Sequence, residues 1–221
     1  MLEDRIKTLN NSIIEYSTFV EYMLGKTIKA YNDKDIKTLK FVITEDDMKA
    51  NLFELDIDDL CVTTIAQFEP VAIDLRTILM ILKINSDLER MGDHVSNIAE
   101  SMIVILENKY SFDMSDVMEM VNITRNMLKD CITAFINKDF ELAYKVIEED
   151  TKVDDLRLKS IKNAIQNMKG LSDDTNLELE LYVLRITSNL ERIADLITNI
   201  CEDVVFITKG KIIKHSRTIK N

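Results

Sequence analysis

Glu89 and Asp93 stand four residues apart, and so do Glu191 and Asp195. Among all side chains in the sequence, these four carboxylates point most directly to chemistry. On a helix, an i, i+4 pair has Cβ atoms about 5–6 Å apart. Two carboxylates held that close repel each other, and a hard cation such as Mg²⁺, Mn²⁺, Ca²⁺ or Fe³⁺ reverses the cost by ligating both. The plain alternative is a solvated acidic face, since exposed helix surfaces are charged by default.

Each pair lies in one copy of a thirteen-residue motif. Leu88–Glu100 reads L-E-R-M-G-D-H-V-S-N-I-A-E, and Leu190–Glu202 reads L-E-R-I-A-D-L-I-T-N-I-C-E. Matched positions are 102 residues apart throughout, and seven of the thirteen residue types are identical. Such a repeat divides the chain into two copies of one unit.

The motif calls for a helix. Ile84, Leu88, Met91, Val95, Ile98, Met102 and Ile105 are apolar at alternating steps of four and three, the stripe a packed helix buries. Their counterparts from Ile186 to Ile207 are apolar too. With Glu89 at zero on a helical wheel, Asp93, Asn97 and Glu100 fall within about 80° of it, and the stripe lies at roughly 160–260°. The polar residues therefore form one row turned away from the stripe, and Glu191, Asp195, Asn199 and Glu202 repeat it. Asn97, Glu100, Asn199 and Glu202 are additional candidate ligands, or else hydrogen-bonding residues toward a neighbouring helix or water. His94 offers an imidazole that suits Zn or Fe. Leu196 replaces it in the second copy, as Ala194 replaces Gly92. Arg90 and Arg192 suit pairing with acidic neighbours, with direct phosphate binding as the alternative.

The elements that position these rows follow from the rest of the chain. Only four Gly and one Pro occur in 221 residues, and 46% are hydrophobic, which predicts long helices around a sizeable core. Helices are expected over about residues 2–30, 35–68, 71–107, 113–136, 139–169 and 174–208. Asp56–Asp59 is a candidate interruption of the second. Pro70 separates the second from the third, and Gly170–Asp173 does the same job in the second half. Asn32–Asp35 and Asn137–Asp139 are matching polar turns, and they align at an offset of 104. The second copy is therefore two residues shorter before its motif, and the difference is expected around the Pro70 and Gly170 turns. The expected fold is all-α: two tandem three-helix bundles, six helices in all, with domains at 1–108 and 113–215.

A formal net charge of −11 argues against nucleic-acid binding, which needs a basic surface to displace counterions. It also argues against simple docking on anionic membranes. Cys61, Cys131 and Cys201 form no CxxC pattern, and their odd number suits a reducing compartment. The start of the chain lacks a signal-peptide core, and no apolar run approaches the roughly 18 residues of a membrane span. No Gly-rich phosphate loop, GxSxG or HExxH motif occurs, and two histidines offer little support for acid–base catalysis. The expectation is a cytoplasmic protein that is not an enzyme.

The sequence resembles the PhoU family of regulators of phosphate-specific transport. Leu88–Glu100 fits the family hallmark L-E-R-[IM]-G-D-H-x-x-N-I-A-E throughout. Pro70–Arg76, P-V-A-I-D-L-R, resembles a second family segment. Val146–Asp150 with Val153 and Asp154 resembles a third, and Lys209-Gly210-Lys211 resembles the family ending. The resemblance implies a three-helix unit used twice and a metal centre on each. Glu89 and Asp93 would supply the first centre, and Glu191 and Asp195 the second. Aspartates from the preceding helix would complete each set. Asp150 and Asp154 match that role. In the first copy Asp46 aligns with Asp150 but Ala50 with Asp154, and a one-residue shift would use Asp47 and Asn51 instead. The implied ions are Fe or Zn, with Mn, Mg, Ca or Ni as further candidates. The implied function is negative regulation of phosphate uptake and phosphate-starvation signalling. The implied partners are the ATPase subunit of the phosphate ABC transporter, the phosphate sensor histidine kinase and a second copy of the chain.

Two rivals stand beside this reading. A ferritin-like di-metal oxidase also mounts carboxylates on helices, but it needs inward-facing ligands and Glu-x-x-His pairs. Gly92 and Ala194 occupy the third position after Glu89 and Glu191. The other rival is a metal-free helical module whose acidic row docks a basic partner.

Overall fold

The computed structural model describes residues 1–110, 112–169 and 174–209. The elements are α1 (Leu2–Asn32), α2 (Ile36–Phe41), a π-helical turn (Val42–Asp46), α3 (Asp47–Phe68), α4 (Ala72–Glu107), α5 (Ser115–Asn137), α6 (Phe140–Lys169) and α7 (Asp174–Lys209). The helix α2, the π turn and α3 run on without a break, so the described residues form six rods, three from each copy. Among the described residues there is no strand.

Local chemistry sets the rod ends. Lys34 and Lys138 both adopt left-handed φ, at 56° and 55°. The aspartate after each lysine caps the next rod: Asp35 accepts from the Thr38 N–H at 3.0 Å, and Asp139 from the Glu141 and Leu142 N–H groups at 3.0 Å. Such caps satisfy backbone donors that a helix start leaves unpaired. Helix α3 stops at Glu69, which is left-handed, and α4 begins after Pro70 and the extended Val71. The expected Gly170–Asp173 stop lies outside the described residues, as do positions 210–215 of the expected second domain.

The expected interruption of the second rod falls elsewhere. Asp56–Asp59 is regular helix, and the irregularity is the π turn at Val42–Asp46. A π turn adds one residue to a helical turn, so it changes the register between the copies. Before it, Leu39 and Val42 match the buried Ala143 and Val146 at an offset of 104. After it, Ala50, Ile57 and Cys61 match the buried Val153, Ser160 and Ala164 at 103. One of the two residues missing from the second copy is therefore accounted for at the π turn and not at Pro70.

The α4 stripe from Ile84 to Ile105 is fully buried, as are its α7 counterparts from Ile186 to Val204. Each of these side chains contributes about 1.5–3 kcal/mol through burial. Tyr16 of α1 stacks on Phe53 of α3 with ring centroids 5.1 Å apart, which ties the second rod to the first.

Helices α4 and α7 join the two copies and run antiparallel. Lys83 pairs with Asp203 at 3.1 Å, His94 Nδ1 meets Asn189 Oδ1 at 2.9 Å, and Arg185 reaches Asn97 and Glu100 at 2.8 and 2.7 Å. Partners thus rise along α4 as they fall along α7. Met91 and Ile193, equivalent residues of the two motifs, are buried near the middle of this pairing. The motif therefore lies along the joint between the repeats, to which Asn97 and Glu100 also contribute.

Candidate functional site

Each acidic row lies where a motif helix borders the second rod of its own copy. In the first copy, Glu89 is half-buried and Asp93 exposed. Glu89 faces Asp93, Glu54 and Asp47. Burial raises its carboxyl above the ordinary range, the three carboxylates raise it further, and Arg90 offsets this only in part. Arg90 itself lies 3.5 Å from Asp87. Asp93 is raised by burial and then by Asp47, against a pull from His94. Glu54 is raised by burial, Asp58 and Asp93. These shifts mark a concentration of negative charge that nearby cations do not neutralise.

Asp47 enters this cluster and Asp46 does not. Ser96 of α4 donates to Asp47 at 2.7 Å. Asp46 pairs instead with Lys26 of α1 at 2.6 Å. Asp46 and Asp150, 104 residues apart, are both buried, with 6% and 2% of their surfaces exposed, and the 103 register set by Ala50 and Val153 beyond them pairs Asn51 with Asp154. Asp46 is a structural ion pair.

Two uncharged groups lie beneath the first cluster. Tyr16 is fully buried, and its hydroxyl has no hydrogen-bond partner. Burial raises the phenol, and Glu89, Glu54, Asp93 and Asp47 raise it further, so it stays protonated. Asn85 is buried and donates to the Glu54 carbonyl and to Asp58, both at 2.8 Å, while its own oxygen has no partner. Sequence reasoning missed Glu54, Tyr16 and Asn85. The signal for Glu54 was its spacing of seven residues from Asp47, two turns along one face. Nothing in the sequence marks Tyr16 or Asn85.

In the second copy, Glu191 is half-buried beside Asp195 and Asp154. Burial and then Asp195 raise its carboxyl, Arg157 lowers it, and Asp154 raises it. Arg157 Nη1 lies 3.3 Å from Glu191 Oε1. Asp150 is buried, with 2% of its surface exposed. At the register that follows the π turn, Arg157 occupies the place of Glu54. The second cluster therefore carries a cation where the first carries another carboxylate.

The outer parts of the rows differ as well. Arg185 engages Asn97 and Glu100, and Asn97 also donates to the Asp93 carbonyl at 2.9 Å. These two residues serve the joint between the copies. Asn199 is exposed and Glu202 half-buried. His94 points to Asn189 across that joint, and burial lowers its imidazole pKa.

The donor chemistry of the first cluster suits a hard cation: carboxylate oxygens that repel one another above a buried hydroxyl and amide oxygen in need of partners. Among the described residues no three His, Cys, Asp or Glu side chains are gathered around a single point in ligating geometry. No helix among the described residues is long and apolar enough to cross a membrane.

The PhoU domain model matches the chain twice, over residues 13–102 and 117–204. The phosphate-specific transport system accessory protein PhoU homolog of Aquifex aeolicus is 33% identical over 210 residues, covering 95% of this chain and 94% of that one. The accessory protein PhoU of Escherichia coli K12 is 29% identical over 210 residues, covering 95% and 86%. The crystal structure of the phosphate transport system regulatory protein PhoU from Streptococcus pneumoniae superposes with a TM-score of 0.88 at 27% identity, covering 97% of this chain and all of that one. PhoU from Pseudomonas aeruginosa gives the same score and identity over 96% of this chain.

Proposed function

The chain belongs to the PhoU family, and from that membership we propose that it is an accessory regulator of phosphate uptake, not an enzyme. It restrains the phosphate ABC transporter through its ATPase subunit and phosphate-starvation signalling through the sensor histidine kinase. It works in the cytoplasm, and a homodimer is the expected assembly. The observation that carries this reading is the double PhoU-domain match, supported by relatives of nearly equal length named as accessory proteins of phosphate transport.

Metal ions are part of the proposal. Glu89, Asp93, Asp47 and Glu54 would hold a cation in the first copy, with the Tyr16 hydroxyl available to a ligand carboxylate or a bound water. Glu191, Asp195, Asp150 and Asp154 would hold one in the second, against the charge of Arg157. The ion would supply charge neutralisation: it would relieve the repulsion that raises Glu89 and Asp93, and fix α4 against α3. The residues do no bond-breaking in this scheme. Their work is to set the charge and rigidity of the face a partner meets.

Deletion of the gene in its host, with a phosphate-starvation reporter and ³²P-phosphate uptake measured at high phosphate, tests the regulatory reading. The expected result is a derepressed reporter and raised uptake, both restored by the intact gene. Unchanged reporter and uptake would overturn it.

A further inference from the structure

Helix α3 carries apolar side chains on its outward face as well as its inward one. Ala50, Ile57 and Cys61 are buried against the bundle. Met48, Leu52, Leu55 and Val62 point out, with 53%, 52%, 63% and 60% of their surfaces exposed. Their steps are four, three and seven, and exposed Asp59 fills the intermediate stripe position. At about 1.5 Å per residue the stripe is roughly 21 Å long, the length and period that an amphipathic helix presents to another helix.

The borders of the stripe are acidic. Exposed Asp56 flanks one side and exposed Asp59 lies within the stripe, while Asp47 and Asp58 on the other side accept hydrogen bonds from Ser96 and Asn85 of α4. Lys49 is drawn toward α1, with its ammonium 4.6 Å from the Phe19 ring and 5.7 Å from the Phe53 ring. The second copy lacks this surface. At the register after the π turn its equivalents are Thr151, Asp155, Leu158, Lys162 and Ile165, two apolar residues interrupted by two charges. The stripe is therefore not a by-product of how the three-helix unit packs. An exposed aliphatic stripe with a polar rim marks an interaction surface.

We infer that the outer face of α3 docks an amphipathic helix of a partner protein, one whose apolar stripe is flanked by lysine or arginine. A second copy of this chain fits worse, because pairing α3 with itself would bring the exposed Asp56 and Asp59 of the two copies toward one another. The inference rests on the geometry of α3 and stands apart from the phosphate reading.

Two synthetic helical peptides of about three heptads test it. Both carry leucine at the a and d positions and a fluorescein label; one has lysine on its flanks and the other glutamate. Fluorescence anisotropy follows their binding to the full chain. The lysine peptide is expected to bind, and rising salt to weaken it. Leu52→Ser/Leu55→Ser, and separately Met48→Ser/Val62→Ser, should each weaken it by about tenfold or more. The matched change in the second copy, Leu158→Ser/Ile165→Ser, should leave it unchanged. Circular dichroism confirms that each variant keeps its helix. Undiminished binding by both stripe variants would overturn the inference, as would equally tight binding of the glutamate peptide. Sedimentation showing a parent dimer that the stripe variants turn into a monomer would also overturn it, by assigning the face to a second copy.

Discussion

Glu54 and Arg157 occupy the same position in the two repeats and carry opposite charges. Glu54 adds to the crowding of carboxylates around Glu89, whereas Arg157 lies 3.3 Å from Glu191. Two copies with the same motif thus have different electrostatics, because the neighbouring rod differs: Glu54 stands against Arg157, and Asn51 against Asp154.

The first prediction follows from that contrast. A Mn²⁺ titration of chelator-treated protein, read by calorimetry, should show a first-copy site about tenfold or more tighter than the second. Glu89→Gln/Asp93→Asn should remove the tight phase, and Glu191→Gln/Asp195→Asn the weak one. Arg157→Glu should narrow the gap. A tight phase that survives Glu89→Gln/Asp93→Asn would refute the assignment.

Acidity should stabilise the metal-free first cluster. Glu89, Asp93 and Glu54 have carboxyls raised above their unfolded values, chiefly by burial. Between the unfolded and folded pKa the native state binds more protons, so their contribution to stability falls as pH rises through that window. In chelator-treated protein the melting temperature should therefore rise on mild acidification from pH 7 toward the ordinary carboxylate range. Glu89→Gln should raise it at pH 7 and flatten the dependence. A melting temperature that drops steadily over the same interval in parent and variant alike would count against the cluster.

Asp46 and Asp47 should separate cleanly. Asp46 and Lys26 expose only 8% and 17% of their side chains, so Asp46→Ala strands a poorly solvated ammonium and should cost about 3 kcal/mol in urea denaturation. Metal uptake should be retained. Asp47→Ala should cost less stability and weaken first-copy metal binding. The reverse pattern would restore Asp46 as the ligand.

Gly92 should tolerate a methyl group. A Cβ there would come 3.4 Å from the Ala50 Cβ, and the second copy already has Ala194 in its place. Gly92→Ala should shift stability by no more than about 1 kcal/mol, with the gain in helix propensity offsetting the tighter contact. Loss of several kcal/mol would show that α3 and α4 cannot part by a few tenths of an ångström.

Much of the protein was determined along the chain itself. The 102-residue repeat, the four-three stripes and the Asp35 and Asp139 caps specify six rods in two copies. They do so because helix periodicity and capping are local properties, written in residues within a turn or two of each other. The identity of the carboxylate pairs was legible for the same reason: Glu89 and Asp93 share a face through helix geometry alone. Only the tertiary structure decided which residues join them. The π turn at Val42–Asp46 inserts one residue without an obvious sequence signal, and Asp47, just after it, comes beside Glu89 and Asp93. It also aligns Glu54 with Arg157. Tyr16 comes from a helix whose own pattern marks it only as core, and it approaches the carboxylates because α1 packs beneath α3. The Arg185 bridge to Asn97 and Glu100 depends on the antiparallel register of α4 and α7. Side chains far apart in sequence meet only when packing fixes the register between rods, and adjacent residues of one rod then meet different partners: Asp46 the Lys26 ammonium, Asp47 the Ser96 hydroxyl.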